Sequence, residues 1–138
     1  MVGAGGVHVG QDDLAPAQAR AILGPGACVG LSTHTLSQID GGLLTPVDYL
    51  AIGPVFGTAT KATWYEPIGL RMVADAARVV RSRALPLVAI GGMTLDRAPG
   101  VLTAGAHTVA VISDLLAGGD PRARVRQYLE RLAGSGGD

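Results

Sequence analysis

Lysine is almost missing from this chain of 138 residues: Lys61 stands alone among 11 Lys and Arg. Cysteine occurs once, which excludes an internal disulfide and any cysteine-spaced metal site. That residue, Cys28, lies in the apolar run Ala27–Leu31 and reads as a small buried hydrophobe in a reducing compartment. Net charge is also missing. Eleven acids balance 11 bases, so no global field recruits nucleic acid or a membrane surface. No apolar run approaches the ~18 residues that a membrane span needs. The opening Met1–Gly6 has neither a basic stretch nor a long apolar one, so it reads as no signal peptide. Aromatics amount to 4%, and the adjacent Trp64 and Tyr65 read as loop packing in preference to a base-stacking platform. The expectation is a soluble, cytoplasmic protein.

What the chain does have is apolar mass, 48% of its residues against 16% charged, enough to bury a core as one domain over residues 1–138. Charge is unevenly placed. Residues 1–60 hold one Arg against four acids, net −3, and the remainder hold ten bases against seven acids, net +3. Much of the excess is Arg122, Arg124, Arg126 and Arg131, which read as the exposed face of a helix.

Five short β-branched or apolar runs read as buried strands: Gly6–Val9, Cys28–Leu31, Tyr49–Ile52, Pro86–Ile90 and Thr108–Ile112. Helical signals lie between and after them. Pro16 opens a helix that Gly24-Pro25-Gly26 stops. Thr35 or Ser37 caps a short helix ending near Gly41-Gly42. Leu70, Val73, Ala74, Ala77 and Val80 follow helical spacing. Asp96 is a candidate N-cap, with Pro99 at the third helical position. Asp120 caps a last helix with Pro121 at its first position and an inner stripe of Val125, Tyr128, Leu129 and Leu132, before a frayed tail from Gly134. Near-continuous apolar strands alternating with helices predict a parallel sheet covered by helices.

The polar and glycine-rich residues follow the strands and do not precede them, which is where parallel α/β folds place their sites. After the first strand come Gln11, Asp12 and Asp13. These either hold Mg²⁺ together with substrate phosphates or form a solvated turn with an Asp N-cap. After the second comes Ser32-Thr33-His34-Thr35, a phosphate-binding hydroxyl loop in which His34 is either a proton-transfer group or a structural histidine bonded to backbone. After the third comes Gly57-Thr58-Ala59-Thr60-Lys61, a cradle of hydroxyls, backbone N–H groups and one cation. Its spacing fails the P-loop pattern, and Lys61 read alone could equally be a solvated surface residue. After the last two come Gly91-Gly92 and Ile112-Ser113, either a backbone phosphate site or plain turn chemistry. Gly3-Ala4-Gly5-Gly6 is not a dinucleotide fingerprint, because it precedes a strand and His8 occupies the place of the third glycine.

In this order the motifs Gly6-Val7-His8-Val9-Gly10-Gln11-Asp12-Asp13, Gly30–Thr35, Asp48–Lys61, Val88–Gly92 and Val109–Ser113 resemble the thiamine phosphate synthase family over almost the whole chain. The resemblance implies an α/β fold of the (β/α)₈ TIM-barrel type, here an incomplete barrel of about five βα units matching strands four to eight. It implies a transferase of thiamine biosynthesis that joins hydroxymethylpyrimidine diphosphate to thiazole phosphate and releases pyrophosphate, with Mg²⁺ as cofactor. By residue, it makes Asp13 a Mg²⁺ ligand and gives Ser32 and Lys61 the catalytic pyrophosphate contacts. Thr58, Ala59, Thr60, Gly91, Ile112 and Ser113 line the thiazole phosphate pocket. The family's first strands carry the pyrimidine contacts and a second Mg²⁺ ligand, so the chain alone is expected to be impaired. A homo-oligomer or a complementing half-barrel chain would cover its open edges. Two other readings stand beside this one: a thiazole tautomerase-like isomerase using a loop His, and a non-catalytic phosphate-binding module.

Overall fold

The computed structural model describes residues 3–57 and 65–133. Among them, five strands form one parallel sheet in the order of the chain: β1 (Gly6–Val9), β2 (Cys28–Thr33), β3 (Tyr49–Ile52), β4 (Leu87–Ile90) and β5 (Thr108–Ala110). Six helices connect or follow them: α1 (Pro16–Leu23), α2 (Leu36–Gly42), α3 (Gly69–Arg81), α4 (Ala98–Thr103), α5 (Ser113–Leu116) and α6 (Pro121–Leu132). Each strand pairs with the next, so the order has none of the reversal that marks a doubly wound sheet.

Strand alternation divides the sheet into two unlike faces. Val9, Val29, Leu31, Leu50, Ile52, Leu87 and Ala89 share one face and are at most 7% exposed. Helices pack on it: Ile39 of α2, Val73, Ala77 and Val80 of α3, and Val101 of α4 join the same core. The opposite face carries His8, Cys28, Ser32, Tyr49, Val88, Ile90 and Thr108, all half-buried or exposed. Cys28 is therefore exposed, against the expectation of burial. Its apolar neighbours made it look interior, but as the first residue of β2 it alternates away from Val29 and Leu31.

Most helix starts follow their sequence signals. Pro16 opens α1, the Thr35 hydroxyl accepts from Gln38 N–H to cap α2, and Asp120 accepts from Ala123 N–H to cap α6. Asp96 is not a cap. A turn in which Arg97 and Ala98 N–H both donate to Thr94 C=O delays α4, so Arg97 precedes it and Pro99 falls one position earlier in the helix than expected. The fifth strand ends at Ala110, because Ile112 turns to φ −123°, ψ −80° and leads into α5. In α3 the buried positions are Val73, Ala76, Ala77 and Val80, while Leu70 is 40% exposed. In α6 only Tyr128 is buried, and Val125 and Leu129 lie open. Arg122, Arg126 and Arg131 are exposed as expected, but Arg124 turns inward to Asp114.

Candidate functional site

Because all five strands are parallel, the segments that follow them lie at one end of the sheet. The turn after β1 is closed by Asp13, whose Oδ2 accepts from Gly10 N–H at 2.7 Å. Asp13 thus caps its own turn and not α1, whose N-cap Ala15 has no side-chain partner. Its carboxylate stays exposed beside the β2 terminus, and Gln11 crosses to β2 by donating from Nε2 to Ser32 C=O at 2.6 Å. Among the described residues no group of three or more His, Cys, Asp and Glu gathers into a metal cage. A single oriented carboxylate does suit Mg²⁺, which binds through one or two carboxylates plus substrate phosphates.

Ser32 is held through its side chain as well. Its Oγ lies 2.7 Å from His8 Nε2, and His8 Nδ1 lies 2.8 Å from the Tyr49 hydroxyl. Burial lowers the His8 pKa below that of a free imidazole, with the Asp13 charge opposing. Burial raises that of Tyr49. Read in the sequence, neither residue has a role in the site: both stand in strands and in the family motifs, and His8 also serves to reject a nucleotide fingerprint. The available signal was Gly30. It pairs with both, and a Cβ there would lie 2.1 Å from Tyr49 Cζ, so only glycine lets the phenol lie across β2 to reach His8.

His34 is half-buried, and its Nδ1 lies 2.6 Å from Gly53 C=O. A carbonyl only accepts, so Nδ1 carries the proton. The ring stacks on Tyr65 with centroids 3.6 Å apart, which gives Tyr65 the expected packing role. Thr33 is turned the other way: it is buried and donates to Ala51 C=O.

The segments after β3 and β4 meet backbone to backbone. Val55 N–H donates to Ile90 C=O at 2.8 Å and Phe56 N–H to Gly91 C=O at 3.1 Å. Gly91 has φ +98°, and a Cβ on it would lie 2.6 Å from Pro54 Cα. Gly92 has φ +59°, and its Cβ would lie 2.5 Å from Gly57 C=O. Close packing thus accounts for both glycines whether or not an anion binds there. Arg97 adds a clamp, donating to Gly92 C=O at 2.7 Å with its guanidinium over the Phe56 ring.

Ile112 and Ser113 are exposed at the end of β5. Their position is fixed by the next residue. Asp114 receives two hydrogen bonds of 3.0 Å from Arg124, one of 2.7 Å from Tyr128 and one of 3.2 Å from Leu95 N–H. The Arg124 hydrogen bond is the largest cause holding this carboxyl below the usual range, and burial together with Asp114 pushes Tyr128 upward. Asp13, Ser32, Gly91, Ile112 and Ser113 therefore all stand at the same end of the sheet. Thr58, Ala59, Thr60 and Lys61, with Trp64 and the tail from Gly134, lie outside the described residues.

A family model described as thiamine monophosphate synthase matches residues 1–115. The thiamine-phosphate synthase of Koribacter versatilis is 48% identical over 128 residues, covering 92% of this chain and 58% of that one. The one from Rhizobium etli is 44% identical over 127 residues, covering 92% and 61%. Among solved structures, thiamine phosphate pyrophosphorylase from Pyrococcus furiosus superposes with a TM-score of 0.83 at 31% identity, over 99% of this chain and 63% of that one. The chain thus spans about three-fifths of the length of each of these three relatives.

Proposed function

The chain belongs to the thiamine monophosphate synthase family, and from that premise we propose that it contributes the strand-end site of a transferase in thiamine biosynthesis. The reaction joins a pyrimidine methyl diphosphate to a thiazole phosphate. The methylene C–O bond breaks and its electron pair leaves on pyrophosphate. The pyrimidine-stabilised cation is then captured by the thiazole nitrogen lone pair, forming a C–N bond. Such a step is accelerated by fixed donors aimed at the charge developing on the leaving group.

In this reading the Ser32 hydroxyl and the Lys61 ammonium contact the leaving pyrophosphate. Thr58, Ala59, Thr60, Gly91, Ile112 and Ser113 receive the thiazole phosphate. Asp13 would hold Mg²⁺, which when bound neutralises diphosphate charge. The observation that carries the reading is the coupling of Asp13 to Ser32. The turn that Asp13 closes sends Gln11 onto the Ser32 carbonyl, so a metal-ready carboxylate and an anion-ready hydroxyl occupy adjacent strand ends.

The consecutive parallel order suits one part of a (β/α)₈ barrel. We read residues 1–138 as one such part-barrel domain, with further strand–helix units, a second copy or a complementing chain closing the site. Alone, the 138 residues should bind ligands better than they turn substrate over.

Calorimetry tests this. Inorganic pyrophosphate should bind only with Mg²⁺ present, and Asp13→Asn should weaken it about tenfold, a loss of ~1.4 kcal/mol. Uptake of thiazole phosphate without any Mg²⁺-coupled pyrophosphate binding would replace this reading with the isomerase. Uptake of neither would leave a non-catalytic module.

A further inference from the structure

Tyr49, His8 and Ser32 come from three neighbouring strands and form one hydrogen-bonded chain on the sheet face away from the helices. We propose that this chain is a positioning relay. Tyr49 fixes His8 as the Nε2–H tautomer, which occupies a Ser32 Oγ lone pair and frees the Ser32 proton to donate to an anionic oxygen of pyrophosphate. The proposal rests on the reading of Ser32 as a pyrophosphate contact and adds two residues that act through it.

The direction follows from donor strength. Both hydroxyls that flank His8 can donate or accept, so distance alone leaves the ring's tautomer open. A phenol is much more acidic than an aliphatic hydroxyl and the stronger donor, so the imidazole lone pair accepts its hydrogen bond from the Tyr49 hydroxyl. That lone pair is on Nδ1, so a neutral ring carries its hydrogen on Nε2, facing Ser32 Oγ at 2.7 Å. Burial supports both halves, since it keeps Tyr49 protonated and favours neutral His8. Phosphate oxygens only accept, so a serine can serve one only by donating. A Ser32 that spent its proton on His8 would offer the anion nothing but lone pairs. The backbone is fixed too, because Gln11 holds the Ser32 carbonyl. Gly30 is the structural condition: any side chain there would displace the Tyr49 ring and uncouple His8.

The test has two readouts. The first is ¹⁵N NMR of the His8 imidazole in the free protein. An Nε2–H ring with bare Nδ1 is expected, and a ring protonated at Nδ1 alone overturns the relay. The second is calorimetric titration of inorganic pyrophosphate with Mg²⁺. Tyr49→Phe keeps the ring and removes the hydroxyl, and should mix the His8 tautomers and weaken binding about fivefold, as expected for one net hydrogen bond. His8→Leu should weaken it as much as Ser32→Ala does. His8→Gln should recover most of the loss, because its amide N–H can replace Nε2–H. Wild-type affinity in His8→Leu beside a weakened Ser32→Ala overturns the relay and leaves the pyrophosphate reading intact. An Nε2–H ring in a protein that takes up no pyrophosphate upholds the tautomer and overturns the reading it would serve.

Discussion

The two halves of the strand-end face are built from different materials. Over β1 to β3 the linking groups are mainly side chains: Gln11, His8, Tyr49 and Ser32 reach across strands by polar atoms, while Asp13 closes the turn that carries Gln11. Over β3 to β5 backbone meets backbone, through glycines that leave no room for a Cβ, with Arg97 and Asp114 clamping from outside. His34 joins the halves by binding Gly53 C=O. The difference separates function from folding. A polar chain on a half-exposed face can lose an atom and keep its fold, so its residues report on binding. A backbone seam cannot, so its glycines report on stability first.

The largest expected effect tests the seam. Gly91→Ala would force an alanine to φ +98° and place its Cβ 2.6 Å from Pro54 Cα. Overpacking and a left-handed backbone together should cost about 4 kcal/mol. Gly57→Ala is the control, since its Cβ would lie 3.9 Å from Pro67 Cγ, an ordinary contact, and should change stability by less than ~0.5 kcal/mol. Urea unfolding of the pair decides the matter. Equal midpoints would show that the seam yields, and the contrast between the halves would fail.

The next effect tests the clamp. Asp114→Ala removes the partner of Arg124, Tyr128 and Leu95 N–H at once and should destabilise by about 2 kcal/mol. Hydrogen exchange should show the α6 amides losing protection before those of β2 and β3. The pH sign is set by the depressed carboxyl. In the unfolded chain Asp114 titrates near 3.8 and in the fold lower. Its contribution is therefore complete at neutral pH and fades as pH falls below 3.8 toward the folded value. Wild type and Asp114→Asn should converge in stability over that acid window.

Much of this arrangement could be read from the chain alone, and what was hidden has a common cause. The strands and helices announce themselves by local patterns, and Pro16, Thr35 and Asp120 mark helix starts through groups that bond within a turn. The strand ends collect the polar residues because parallel strands share one direction. Register, by contrast, is a long-range property. That His8, Gly30 and Tyr49 form one row depends on pairings up to 41 residues apart, and no local pattern sets them. Cys28 was misplaced for the same reason, since its facing follows from which neighbours alternate inward. The open Val125 and Leu129 differ from their predicted stripe because α6 packs against α4 and α5, with only Tyr128 deeply inserted.

The smallest effect lies in the polar half and concerns His8 titration. Burial lowers its folded pKa below the 6.5 of the free imidazole, and Asp13 only partly opposes. Below pH 6.5 the unfolded chain takes up a proton that the folded ring resists, so stability falls as pH drops from 6.5 to the folded value and then levels off. The groups hydrogen-bonded to the ring are the Tyr49 and Ser32 hydroxyls, and the Asp13 charge opposes the effect of burial. His8→Gln removes the titration while keeping a donor toward Ser32. Its urea midpoint should stay flat between pH 7 and 5 while that of wild type declines. Parallel declines would mean that His8 is as well solvated folded as unfolded, and the polar half would then be a loose surface cluster with no claim to aim Ser32.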